Sequence, residues 1–142
     1  MSNKPSLCPC GSSKNYDDCC GRYHKGALPE NALALMRSRY SAYAKHLPDY
    51  LIKTAHPDNP SYTEDFVLWR DGILLFCRST SFDGLEILEF VDGKEKATVT
   101  FIAHLKQGSH DGTFKEKSNF VKVGNQWLYK DGEIKYLRDI SE

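Results

Sequence analysis

The residues in this chain most able to do chemistry are four cysteines near its start, placed as Cys8-Pro9-Cys10 and Cys19-Cys20 with Gly11-Ser12-Ser13-Lys14 between the pairs. Two close thiol pairs are what a tetrahedral structural Zn²⁺ site requires, because a d¹⁰ ion accepts four thiolates without any geometric preference of its own. Cys8 and Cys10 can wrap one side of the ion. Gly11 lets the chain turn back so that amide N–H groups face the sulfurs and soften their charge. Four thiolates around Zn²⁺ leave a formal charge of −2, which makes Lys14, Lys4 and Arg22 favourable company, Lys14 being the best placed. His24 is a spare donor that can stand in for Cys20. Two disulfides are the alternative use of the same cysteines. Against them stand the absence of an apolar leader after Met1, which points to a reducing cytosol, and the awkwardness of bridging near neighbours such as Cys19 and Cys20.

A second group of residues lies about a hundred positions on. Glu116 and Asp131 are carboxylates in otherwise apolar strand patterns, and a buried carboxylate must be paired or protonated. Arg37 or Arg39, which flank an apolar helical stripe, is expected to meet Glu116. The bland reading is an internal ion pair that fixes the helix on the sheet. A ligand site is the functional one, with the arginine and Glu116 orienting a polar group and Tyr40, Tyr43 and Trp127 as walls. Its sharpest form is an acid/base pair of Glu116 and Asp131, since an apolar site raises a carboxylate pKa toward a useful value. No nucleophile accompanies them, so no reaction and no enzymatic activity is assigned. Cys77 reads as a small buried hydrophobe.

The elements that position these groups follow from periodicity. Residues 21–29 contain two glycines and end in Pro29, and Leu33, Met36, Tyr40, Tyr43 and Leu47 then recur at helical spacing to about His46. A short helix follows Pro48, and a third, capped by Thr63, is expected to bury Phe66, Trp69, Ile73 and Phe76, with Gly72 as an irregular choice inside it. After Asp83-Gly84 the period changes to two, predicting strands at 85–91, 96–106, 113–123 and 126–131. Gly124-Asn125 is a two-residue hairpin turn, which pairs Lys122 with Trp127, Phe120 with Tyr129 and Ser118 with Asp131. A loop at 107–112 sets Leu105 opposite Phe114 and Phe101 opposite Ser118. One face then holds Val99, Phe101, Ala103, Leu105, Phe114, Glu116, Ser118, Phe120, Trp127, Tyr129 and Asp131. Helices followed by an antiparallel meander give an α+β fold with helices packed on one face of the sheet.

Composition excludes several classes. The 19 Lys and Arg balance 19 Asp and Glu, so there is no strong case for nucleic acid. No apolar run approaches the roughly 20 residues of a membrane helix, and no phosphate loop, dinucleotide fingerprint or Ser/His/Asp arrangement occurs.

The order Cys8-x-Cys10-Gly11-Ser12-x-Lys14-x-Tyr16-x-x-Cys19-Cys20 resembles the SEC-C motif, the zinc-binding tail of the SecA translocation ATPase, where the last ligand is often His. That resemblance implies metal ligation by Cys8, Cys10, Cys19 and Cys20, and a protein partner related to translocation, chaperones or the ribosome. The runs Leu35-Met36-Arg37-Ser38-Arg39-Tyr40-Ser41-Ala42-Tyr43, Asp49-Tyr50-Leu51, His56-Pro57, Glu116-x-Ser118-x-Phe120 and Gln126-Trp127-x-Tyr129-x-Asp131-Gly132 resemble the bacterial YchJ family. This implies a domain similar to nuclear transport factor 2, a cone of curved sheet closed by about three helices around a cavity. Many relatives carry a second SEC-C motif at the C-terminus, which is not found before Glu142, and tend to have Trp-Leu-Gly-Leu where Phe82-Asp83-Gly84-Leu85 stands.

The expectation is therefore a SEC-C knuckle over 1–24 acting as a detachable head, a linker over 25–29 and a cone domain over 30–142. Zn²⁺ is the expected cofactor and the bacterial cytoplasm the expected compartment. The expected role is an adaptor whose knuckle engages a protein or ribosomal partner; the alternative is a small-molecule binding protein or enzyme using the cone. Pocket candidates are Arg37, Arg39, Tyr40, Tyr43, Glu116, Ser118, Trp127 and Tyr129, with Glu116 and Asp131 the weak catalytic candidates.

Overall fold

The computed structural model describes residues 6–137, so Lys4 lies outside the described part. The first segment is a small hairpin, bridged between Leu7 and Asn15, that leads through a 3₁₀ turn at Tyr16–Asp18 into helix α1 (Cys20–His24). Three further helices follow: α2 (Ala32–Ala44), α3 (Pro48–Lys53) and α4 (Phe66–Arg78). The rest is an antiparallel sheet of β1 (Ser81–Val91), β2 (Lys96–Gln107), the short β3 (His110–Asp111), β4 (Phe114–Val123) and β5 (Gln126–Tyr136). The strand order is β1-β2-β4-β5, with β3 paired to β2. This is the α+β architecture expected, with β1 beginning earlier and β5 ending later than the sequence pattern suggested.

Caps explain the helix bounds. The Asn31 side chain accepts from the Ala34 amide at 2.8 Å, so α2 begins after the asparagine and not at Pro29. Asp65 accepts from the Leu68 amide at 3.0 Å and takes the role expected of Thr63. Ala97, Val99, Phe101, Ala103 and Leu105 are buried and alternate along β2 with more open residues, and they join Leu35, Met36, Tyr40, Phe120 and Trp127 in the core.

Four expectations are corrected. Beyond Phe120↔Tyr129 the β4–β5 ladder slips by one residue, so Asn119 meets Asp131 and Ser118 meets Gly132. Residues 54–59 hold that bulge: Tyr129 donates to the Thr54 carbonyl and accepts from the His56 amide, while the Asn59 side chain donates to the Lys130 carbonyl. The β2–β4 pairing is shifted by two residues, to Ala103↔Phe114, Phe101↔Glu116 and Val99↔Ser118, because β3 folds back onto Lys106 and Gln107. A shift of two keeps the faces, whereas a slip of one exchanges them. Helix α4 does not bury its expected stripe: only Cys77 is fully buried on it and Phe66 is 51% exposed. The helix packs on α3 and α2, and Trp69, Ile73 and Phe76 border a cavity. Finally, the knuckle is not a detached head, since it lies against α2.

Tyr40 ties α2 to the sheet. Its hydroxyl accepts from the Gly84 amide at 3.0 Å and donates to the Gly84 carbonyl at 2.9 Å, beside the β1 bulge at Asp83, and burial pushes its pKa up to about 12. Tyr40→Phe should lose about 1–3 kcal/mol in urea unfolding, because it withdraws the partner of both Gly84 backbone groups.

Candidate functional site

The metal-ligating candidates come together. The Sγ atoms of Cys8, Cys10, Cys19 and Cys20 all lie within 4.8 Å of one another, and all four residues are buried. Cys10 and Cys19 are 3.7 Å apart, and Cys19 and Cys20 are 4.0 Å apart. A tetrahedron of sulfurs about 2.3 Å from one ion has edges of about 3.8 Å, so this donor set fits a single metal ion held by sulfur alone. Gly11 makes the turn with φ +81°, a conformation that favours glycine. Both nitrogens of His24 are engaged elsewhere: Nδ1 with the Tyr16 hydroxyl, and Nε2 with the Ser38 carbonyl at 2.8 Å. Burial lowers the pKa of His24, which favours the neutral ring with its Nε2–H donated to that carbonyl.

The surroundings of the sulfurs come from two places. Ser12, within the knuckle, has its hydroxyl 3.2 Å from Cys19 Sγ. The others come from α2, where the Ser41 hydroxyl is 3.3 Å from Cys8 Sγ and an Arg37 N–H donates to the Cys10 carbonyl at 2.8 Å, 3.8 Å from Cys10 Sγ. Arg37 thus reaches a ligand sulfur in the place expected of Lys14, and Arg22, as expected, is also at the cluster, its Nε donating to the Cys19 carbonyl at 3.2 Å. Hydrogen bonds from Cys10 and Cys20 hold the Cys8 thiol far below its ordinary value against the cost of burial, with the Ser41 hydroxyl and the Cys10 amide helping. Cys20 is pushed far up, by donating to Cys10 and Cys8 and by its burial. Thiols this close share protons that an incoming cation must displace, so metal affinity falls as the pH falls.

The other candidates divide. Positions 37 and 39 point about 200° apart around a helix, so the two arginines serve different neighbours. Arg39 donates to the Leu51 carbonyl at 2.8 Å and to Thr54 Oγ1 at 2.6 Å, and its guanidinium lies 4.8 Å from the centre of the Tyr129 ring. Neither arginine forms the expected ion pair with Glu116. That carboxylate is 6% exposed, and its Oε2 accepts from the Ser118 hydroxyl at 2.6 Å and the Tyr129 hydroxyl at 2.7 Å. Gly132 makes room for it, since a Cβ there would sit 2.2 Å from Oε2. Burial, then the charge of Glu116, drives the Tyr129 phenol well above its usual pKa.

These groups open on a cavity of about 640 Å³ between the helices and the concave face of the sheet. Arg39, Tyr40, Tyr43, Glu116, Ser118 and Tyr129 line it. Trp127 does not, because near the hairpin end, opposite Lys122, it is packed into the core at 3% exposure. Asp131 stands at the cavity edge, and the bulge turns its carboxylate to Asn119 Nδ2, 2.7 Å away, so it forms no pair with Glu116. Gly72 is a lining residue that the sequence reading did not select. Its signal was present, since a glycine inside a helix gives up about 1 kcal/mol relative to alanine and calls for a local reason. Arg37→Ala, which removes the guanidinium from the thiolate cluster, should weaken metal binding by about ten-fold or more in competition with a chromophoric chelator.

A family profile described as "YchJ, middle NTF2-like domain" matches residues 31–132, and one for the SEC-C motif matches residues 5–22. A UPF0225 protein of Bordetella parapertussis is 39% identical over 138 residues, covering 94% of this chain and 96% of its own. A SEC-C motif containing protein from Rhodopseudomonas palustris, solved in solution, is similar with a TM-score of 0.76 and 34% identity, over 90% of this chain and 98% of its own. The crystal structure of a SEC-C motif containing protein from Psychrobacter arcticus gives a TM-score of 0.74 and 28% identity, over 87% of this chain and 80% of its own. The cone, the four clustered cysteines and these matches agree: the chain belongs to the YchJ family, also called UPF0225, and carries a SEC-C motif at its N-terminal end.

Proposed function

We infer that this protein binds a small molecule in its cone and uses Zn²⁺ to hold the helix that forms one wall of the binding cavity. Zinc is the metal of the reading because four thiolates in a closed tetrahedron suit it, and because a site without an open position is structural. The setting is a bacterial cytosol, where thiols stay reduced; none of the five cysteines is bridged. Among the described residues no helix is long and apolar enough to cross a membrane. The observation that carries the reading is the cavity itself, largely apolar and aromatic, with the buried, hydrogen-bonded Glu116 carboxylate on its wall.

Gly72 offers the test. It borders the cavity, and a Cβ there would meet nothing within 4 Å. Gly72→Phe should fill the space and keep the fold, with the helix gaining from the loss of glycine. Native mass spectrometry of wild-type protein purified without chelator is expected to find one zinc per chain and a co-purifying or added organic ligand. The variant should keep the zinc and lose the ligand. An equal ligand load in both would sink the cavity reading, and a chain that folds fully without metal would sink the zinc reading.

The adaptor role remains a second reading, favoured by Leu7, which is 65% exposed beside the first ligand. Cysteine variants cannot test it, because they would disturb α2 and the cone as well. Leu7→Asp leaves the ligands in place. It should abolish capture of a protein or ribosomal partner if the knuckle is the docking face.

A further inference from the structure

The polarity of the cavity wall is lopsided in a way that selects a ligand. Ser118 and Tyr129 both donate to Glu116 Oε2. Among the described residues no buried side-chain oxygen or nitrogen lacks a partner, so Oε1, with no protein donor on it, opens on the cavity that Glu116 lines. Arg39 has spent one guanidinium nitrogen on Leu51 and Thr54, and its guanidinium lies 4.8 Å from the centre of the Tyr129 ring, which keeps it beside the carboxylate network without an ion pair. Both hydroxyls that touch Glu116 are donating to it, so its free oxygen is left as an acceptor on a largely apolar and aromatic wall. Leaving such a group unmatched is unfavourable, and a ligand that supplies the missing donor removes the penalty.

Resting on the cavity reading above, we propose that the cone binds apolar, ring-bearing molecules that end in an N–H or O–H donor, an alcohol or a protonated amine, which is received by Glu116 Oε1. Molecules of the same body ending in a carboxylate bind more weakly, because at Oε1 their charge would face that of Glu116, and Arg39 on the same wall has already turned one nitrogen to Leu51 and Thr54. Ser118 and Tyr129 act as positioning residues. They hold Oε2, and Gly132 provides the space in which the carboxylate sits.

Four probes on one scaffold test this by isothermal titration calorimetry on the full-length, metal-loaded protein: 2-methylnaphthalene, 2-naphthylmethanol, 2-naphthylmethylamine and 2-naphthoate. The alcohol and the amine should bind about ten-fold tighter than the methyl compound, with the acid weakest, as expected for a hydrogen bond to a charged acceptor. In Glu116→Gln the advantage of the amine should fall about ten-fold while 2-methylnaphthalene binds as before; that unchanged hydrocarbon shows the cavity to be intact. Equal binding of all four probes, or tighter binding of the acid, overturns the proposal and leaves the cavity reading standing. Failure of every probe to bind, the hydrocarbon included, overturns the cavity reading itself. The ranking on the wild type is decisive even if the variant does not fold.

Discussion

Four sulfurs buried within 4.8 Å of one another, and anionic once a metal is bound, cannot sit in an apolar interior unless something answers their charge. Here much of the answer comes from α2, through Ser41 and Arg37. That requirement explains why Ser41, a polar residue of α2, is 0% exposed; Ser38, equally buried, is held by the Leu35 carbonyl and the Tyr50 hydroxyl. The knuckle covers that part of α2 as a second core would. Position of the helix and integrity of the cluster are therefore the same physical question.

From α2 the dependence spreads outward. Tyr40 carries it to β1 through both backbone groups of Gly84, and Arg39 carries it to α3 and to the Tyr129 ring on β5. Tyr43 meets Phe76 of α4 and Phe82 of β1, at ring distances of 5.7 and 6.3 Å. Together these contacts join the helix to α3, α4 and the sheet, and residues of all of them line the cavity. Residues within one helical turn thus serve the cluster and the cone, so the SEC-C segment and the cone act together although their sequence signatures are separate.

Much of this was legible in the chain. Identity and spacing of the cysteines sufficed to bring their four sulfurs into one cluster that could hold a metal ion, and the alternation along β2 was plain. The hairpin at Gly124-Asn125 correctly placed Phe120 against Tyr129, but the bulge just beyond it turned Asp131 outward, and nothing local at Lys130 announces it. Its cause lies in residues 54–59, distant in sequence, which take up the backbone groups of Tyr129 and Lys130. The two arginines failed for a related reason. Helical spacing separates Arg37 from Arg39, but cannot say which neighbour each will meet. Glu116 was expected to find a cation and found two hydroxyls instead, because Gly132, which pairs with Ser118 on the next strand, leaves the carboxylate room to settle there.

The suture at residues 54–59 has a consequence for the sheet as a whole. An open sheet offers two free edges, each a template on which another chain can polymerise. Along β5, the backbone N–H and C=O of Tyr129 are already engaged by Thr54 and His56, and a parallel bridge joins Ala55 to Tyr129. Along β1, the opposite edge, two register breaks interrupt the ladder, between Phe82 and Gly84 and between Ile87 and Glu89, in a strand that also carries Asp83, Glu86 and Glu89. Neither edge presents a long, regular, uncharged row to a stranger. The irregularities that shape the cavity also protect the sheet against edge-to-edge aggregation.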